Sequence, residues 1–242
     1  MSVLALLLVS AIGLLIGLIG LGGFLLVPVL VLLQGTSTRE AVVVAAVAFL
    51  AGGLLSLAAW TRRAPGEVAA HGPYLLGTAP GAVVGAFVVG AVMDRALGLV
   101  IAAAFAAAAI AEWFGLPRAD RARPLAGVRA VGAGMATGFG SAVTGTSGPM
   151  VAMPLLAWVG LPLRDRIAIG QVAQVPIALG ATLMFAGLGA IPWRLAVPCS
   201  AALCAGMLAS RLLARRMPAA GLRRVSAVLM LAAAAAMVVR QA

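Results

Sequence analysis

Apolar positions in this chain run together in long blocks: 3–33, 41–60, 68–93, 96–116, 125–161, 167–192, 195–210 and 225–239, with short polar breaks between them. In a helix at about 1.5 Å per residue, some 20 residues cross a hydrocarbon core of roughly 30 Å. Six blocks therefore predict single transmembrane helices. The first and fifth are too long for that, and both are interrupted by glycine near the middle. Composition agrees: the 242 residues are 64% hydrophobic and only 10% charged, with a mean hydropathy of +1.16. A soluble domain is about half apolar and roughly a quarter charged, so the pattern predicts an all-α polytopic membrane protein. The stretch from Ser2 to Gly20 lacks the basic start and small-residue cleavage site of a signal peptide, and it reads as part of the mature fold.

The two long blocks resemble one another. When Pro28 is set on Pro154, Gly20-Leu21-Gly22-Gly23-Phe24-Leu25-Leu26-Val27-Pro28 lies on Thr146-Ser147-Gly148-Pro149-Met150-Val151-Ala152-Met153-Pro154, and Gly22 meets Gly148. Each is followed by an apolar stretch, an expected polar turn (Arg39-Glu40; Arg164-Asp165-Arg166) and a long helix. The chain thus divides into two transmembrane repeats, 1–116 and 125–242, joined by an Arg-rich linker at 117–124. Repeats of this length are the build of secondary transporters.

Charge orients the spans. The 17 basic residues are all arginine and fall between the apolar blocks. Eight single crossings would divide them almost evenly. If block five instead enters and returns to the same side, Arg62, Arg63, Arg118, Arg121, Arg123, Arg129, Arg164, Arg166, Arg211, Arg215, Arg216, Arg223 and Arg224 share one face. Only Arg39, Arg95, Arg194 and Arg240 oppose them, a strong positive-inside bias. By likeness, block one is a re-entrant hairpin too. Each repeat then has a broken hairpin and three crossings, the second half is inverted, and both termini are expected outside.

A hairpin tip within the bilayer exposes backbone groups that lipid cannot satisfy, so it must line an enclosed or watered cavity. Gly20, Gly22 and Gly23 in one tip, and Gly145 and Gly148 in the other, permit close backbone approach. The half-helices that follow would aim free N–H groups and a positive dipole end at the cavity, a means of holding an anion without buried cations. Thr144, Thr146 and Ser147 cluster at the second tip, whereas the first has no hydroxyl between Gly13 and Thr36. Gln171 and Gln174, on the next helix, could donate amide hydrogens to an oxyanion or bond between helices. The expected substrate-binding set is Gly20, Gly22, Gly23, Thr144, Thr146, Ser147, Gly148, Gln171 and Gln174. Isolated Gly85 and Gly132 read as helix-packing positions. Ser56, Thr78 and Thr182 are expected to bond to their own helices, His71 to sit at a membrane edge, and Cys199 and Cys204 to pack as small hydrophobes.

Other chemistries fit poorly. The longest polar stretch is too short for a nucleic-acid surface. Gly145-Thr146-Ser147-Gly148 has the form of an intramembrane serine-protease motif, but no histidine follows Ser147 and the chain has no lysine to act as base. No metal-ligand cluster, phosphate loop or haem motif occurs, so no cofactor and no enzymatic activity are expected. Glu40, Glu67, Asp94, Asp120 and Asp165 fall in turns or at helix ends. Glu112 reads as an interfacial partner for Arg118 or Arg121, which leaves no intramembrane proton relay. The expected partners are a small anion and the lipid bilayer, and the sequence is compatible with a homo-oligomer. A passive anion channel would use the same architecture.

The segments GLIGLGGFLLVPVL (17–30) and GFGSAVTGTSGPMVAMPLL (138–156), each followed by an apolar helix, resemble the sulfite exporter TauE/SafE family over nearly the whole chain. That resemblance implies a bacterial inner-membrane transporter for sulfite, sulfonates such as sulfoacetate, or related anions. It supports Gly20, Gly22, Gly23 and Pro28, with Gly145, Gly148 and Pro154, as the two signature segments. Family members often have a Gly-Thr-Ser triplet on the helix after each signature, where this chain has Val43-Val44-Ala45 and Gly170-Gln171-Val172.

Overall fold

The computed structural model describes residues 1–20, 22–63, 71–114, 127–158, 161, 163–213 and 219–241. Their elements, in order, are α1 (Val3–Ile19), a 3-10 turn (Gly23–Leu25) leading into α2 (Leu26–Gln34), α3 (Thr38–Arg63), α4 (Gly72–Ala91), α5 (Asp94–Phe114), α6 (Gly127–Thr144), α7 (Gly148–Trp158), α8 (Leu163–Gly187), α9 (Trp193–Leu213) and α10 (Ala219–Gln241). No strand occurs among the described residues. Among the described residues, five stretches are long and apolar enough to cross a membrane: Thr38–Ala58, Gly72–Ala91, Asp94–Ala111, Ala168–Gly187 and Trp193–Ser210. Large apolar side chains on the outside, such as Leu76, Phe87, Leu183 and Val239, are exposed over more than half their surface. A soluble protein would have to cover such a belt, whereas lipid does so here.

Both long blocks break at glycine, as their length requires. Helix α1 ends where Gly20 turns left-handed (φ 73°) and its N–H donates to Ile16 O at 2.8 Å. Helix α6 ends at Gly145 (φ 60°), with Thr146 N–H donating to Ser141 O at 3.1 Å. The half-helices that follow are short: α2 has 9 residues and α7 has 11, and such lengths cover about half of a roughly 30 Å core. Gln34 Nε2, at the end of α2, donates to Ser2 Oγ at the start of α1 at 3.0 Å, so the first hairpin returns to the end at which it entered.

The expected polar turns belong to helices instead. Arg39 and Glu40 lie in the first turn of α3, and Arg164, Asp165 and Arg166 lie in that of α8. The reason is capping, because a helix start needs acceptors for its unpaired N–H groups. Ser37 Oγ accepts from Glu40 N–H at 3.1 Å, and the carboxylate of Asp94 accepts from Thr38 N–H at 3.0 Å and Arg39 N–H at 2.8 Å. Arg39 Nη2 in turn donates to Val92 O at 2.6 Å.

Glycine sets the main pairings. A Cβ at Gly77, Gly81 or Gly85 would strike the carbonyls of Val131, Met135 and Phe139, so α4 and α6 run parallel at near-backbone contact. Gly13 against the Leu203 carbonyl and, one turn on, Gly17 against Ser210 do the same for α1 and α9, also parallel. Gly85 thus has its expected packing role, but Gly132 does not: nothing lies within 4 Å of a Cβ there, because it faces away from the partner helix. Helices α3 and α8 cross antiparallel, with Ser56 on Gln171, Phe49 on Gln174, and Val42 and Ala181 further along the same cavity. Each major contact between halves has a counterpart in which the halves exchange. The α1–α9 contact answers α6–α4, α3–α9 answers α8–α4, and α3–α8 and α5–α10 answer themselves.

One end of the bundle gathers Ser2, Gln34, Thr38, Val92 and Asp94, joined by Arg240, whose Nη1 donates to Val31 O at 2.9 Å. Arg39, Arg95 and Arg240 lie at that end, as does Arg194 because α9 runs with α1. Helix direction puts Arg62, Arg63, Arg129, Arg164, Arg166, Arg211, Arg223 and Arg224 at the opposite end. The linker at 117–124, Arg215, Arg216 and Glu67 lie outside the described residues.

Candidate functional site

The two tips meet in the interior. A Cβ built on Gly23 would stand 2.5 Å from Ser147 Oγ and 3.0 Å from Phe49 Cζ, so only glycine lets the first tip lie against the second. Gly22 adopts φ 128°, a conformation that disfavours side chains, and Gly20 caps α1. Phe24 then seats the first tip against α5, edge-on to Phe105 with ring centroids 6.0 Å apart.

A cavity lies beside the second tip. Helix α3 contributes Val42, Ala46 and Phe49; α6 contributes Ser141 and Ala142; the turn contributes Gly145 and Thr146; α7 contributes Gly148; and α8 contributes Gln174, Ile177, Ala178 and Ala181. Its volume is ≈ 20 Å³, room for about one or two waters, so an oxyanion with four heavy atoms needs the walls to part. Of the expected site residues, Thr146, Gly148 and Gln174 line it. Ser147 sits between two lining residues, and Gly20, Gly22, Gly23, Thr144 and Gln171 do not line it. The second tip lines the cavity through Gly145, Thr146 and Gly148, and no residue of the first tip does.

Its polar groups have an uneven supply of protons. Thr144 Oγ1 donates to Gly140 O at 2.6 Å, so the 2.8 Å contact between Thr144 and Thr146 uses the Thr146 proton. Thr146 is left with acceptor lone pairs. Gln174 Nε2 donates to Phe49 O at 3.1 Å, a partner that can only accept, which fixes the amide orientation. Gln174 Oε1, Ser141 Oγ and Ser147 Oγ are buried without partners. Buried polar groups are rarely left so. The start of α7 offers fewer backbone donors than expected, since Pro149 has no N–H and that of Met150 is already given to Ser147 O at 3.1 Å.

The remaining polar residues do not line the cavity. Gln171 Oε1 accepts from Ser56 Oγ at 3.1 Å, so Ser56 bonds across helices rather than to its own. Thr78 does bond back, to Leu75 O at 2.7 Å, while Thr182 Oγ1 is buried without a partner. His71 stands at the start of α4, and Cys199 and Cys204 are free thiols, the first buried. Glu112 lies in the last turn of α5. Ser141 and Phe49 were not singled out in the sequence. Thr137, Ser141 and Thr144 recur at spacings of four and three, a polar stripe on one face of a helix that marks Ser141.

An all-helical bundle with apolar outer faces, several membrane-length helices and two broken hairpins defines a multi-pass membrane protein. The profile of the sulfite exporter TauE/SafE family matches residues 4–237, nearly the whole chain, and the chain belongs to that family. It is accordingly a membrane transporter of the sulfite and sulfonate type, a class distinct from enzymes. No curated protein and no solved structure matches it.

Proposed function

We propose that this chain exports small anions, sulfite or organosulfonates among them, across a bacterial inner membrane, and binds them at the second tip. The observation that carries this reading is the cavity where Ser141 and Gln174 keep buried polar atoms without partners, with Ser147, whose hydroxyl is also unpartnered, in the turn between the lining residues Thr146 and Gly148. The Ser141 hydroxyl and the start of α7 can hold an anion there, with the first tip packed against Ser147 through Gly23. The exchange of contacts between halves and the antiparallel α3–α8 crossing support two inverted repeats that move against one another. The uneven arginine ends support a cytoplasmic face at Arg62 and Arg129, with both termini periplasmic.

No lining side chain titrates, so transport follows the anion gradient and the membrane potential, about 2.3 kcal/mol per charge per 100 mV. A negative interior favours export. In proteoliposomes carrying methanesulfonate, flux is expected to follow an imposed potential and to ignore an imposed pH gradient. Uphill accumulation driven by a pH gradient at zero potential, and lost in Glu112→Gln, would show a proton-coupled carrier instead.

A further inference from the structure

We infer that the site at the second tip takes a singly charged oxyanion that still bears an O–H donor, and that Gln174 reads that proton. The inference rests on the proposed function and narrows its substrate class. Two features of the cavity carry it.

The first is charge. No side chain lining the cavity from α3, α6, α7 or α8 is cationic. Elsewhere on the packed elements, the charged groups stand at helix ends: Arg39, Glu40, Arg62 and Arg63 on α3, Arg129 on α6, Arg164, Asp165 and Arg166 on α8, and Arg194 and Arg211 on α9, with His71 before α4. Arg166 precedes Gln174 by two turns of α8, about 12 Å along the axis. The cost of burying an ion grows with the square of its charge, so a dianion is penalised about fourfold over a monoanion, with no fixed cation to offset it.

The second is the donor count. Thr146 has spent its proton on Thr144, and Gln174 has turned its amide nitrogen towards α3, where one of its two hydrogens goes to Phe49 O. Both therefore present oxygen acceptors, and Gln174 Oε1 is buried with no donor facing it. Ser141 Oγ, the unpartnered hydroxyl that lines the cavity, can donate to a charged oxygen. A fully ionised oxyanion would set its oxygens against Gln174 Oε1. A monoanion with one O–H satisfies both halves of the site, Ser141 on a charged oxygen and Gln174 on its hydroxyl.

Binding to the purified full-length protein tests this, with sulfite titrated across its second ionisation and methanesulfonate and sulfate as comparison anions. Sulfite affinity is expected to fall about tenfold per pH unit above that ionisation, following the protonated monoanion. Methanesulfonate, a monoanion without O–H, should bind independently of pH and about tenfold more weakly than protonated sulfite, and sulfate should not compete. In Gln174→Met the advantage of sulfite over methanesulfonate should vanish. Ser141→Ala should weaken both anions and leave the pH profile in place. Sulfite affinity that holds or rises as the anion ionises, or sulfate that competes equally, overturns the inference from the unmodified protein alone and leaves the transporter reading standing. Failure of all three anions to bind at any pH overturns the proposed function itself.

Discussion

The contact between tips can be tested by a single methyl group. Gly23 lies outside the left-handed region, so Gly23→Ala meets no backbone strain, and on conformational freedom alone alanine would stabilise by about 0.5–1 kcal/mol. The new Cβ, however, would stand 2.5 Å from Ser147 Oγ, 2.6 Å from Ser147 Cβ and 3.0 Å from Phe49 Cζ. Overpacking of this kind costs about 1–3 kcal/mol, so the net expectation is a loss of about 1 kcal/mol or more. At roughly 2–4 °C per kcal/mol for a chain of this length, thermal unfolding in detergent resolves it. The double mutant Gly23→Ala/Ser147→Gly removes the atoms in the way and should recover most of the loss, with a coupling of about 0.5–3 kcal/mol. If Gly23→Ala melts with the unmodified protein, or the two changes add within about 0.5 kcal/mol, the tips do not touch as described.

Gly81→Ala and Gly132→Ala have the same gain in helix propensity, about 1 kcal/mol, but should shift the unfolding temperature in opposite directions. The Cβ at Gly81 strikes the Met135 carbonyl, while the one at Gly132 meets nothing within 4 Å; Gly85→Ala should follow Gly81. In a background lacking Cys199 and Cys204, a cysteine replacing exposed Arg194 should react with an impermeant thiol reagent from the periplasm and one replacing exposed Arg129 should not. Reaction of both from one face would refute the inverted topology.

Much of the fold was legible because lipid is a demanding solvent. Blocks of apolar residues have few alternatives to a helix, and a block too long to cross once had to break, which it does at Gly20 and Gly145. Boundaries set by distant partners were not legible. Arg39 and Glu40 read as a turn, yet Asp94, more than fifty positions away, caps the helix that contains them. Gly85 and Gly132 looked alike because a glycine in a helix is the same letter whether it faces a carbonyl or lipid.

The candidate site divides along the same line. Sequence alone determined the class of protein, the two broken hairpins and the hydroxyl-rich second tip, since those depend on composition and local spacing. Tertiary structure decided which hydroxyls have protons to give. Thr146 loses its proton to a neighbour two residues away, and Gln174 turns its nitrogen to a carbonyl on another helix. Ser141 is left buried and unpaired in a cavity that α3 and α8 help to wall. A side chain's hydrogen-bonding capacity belongs to its residue type, but what remains of it for a ligand depends on every partner that packing brings within reach.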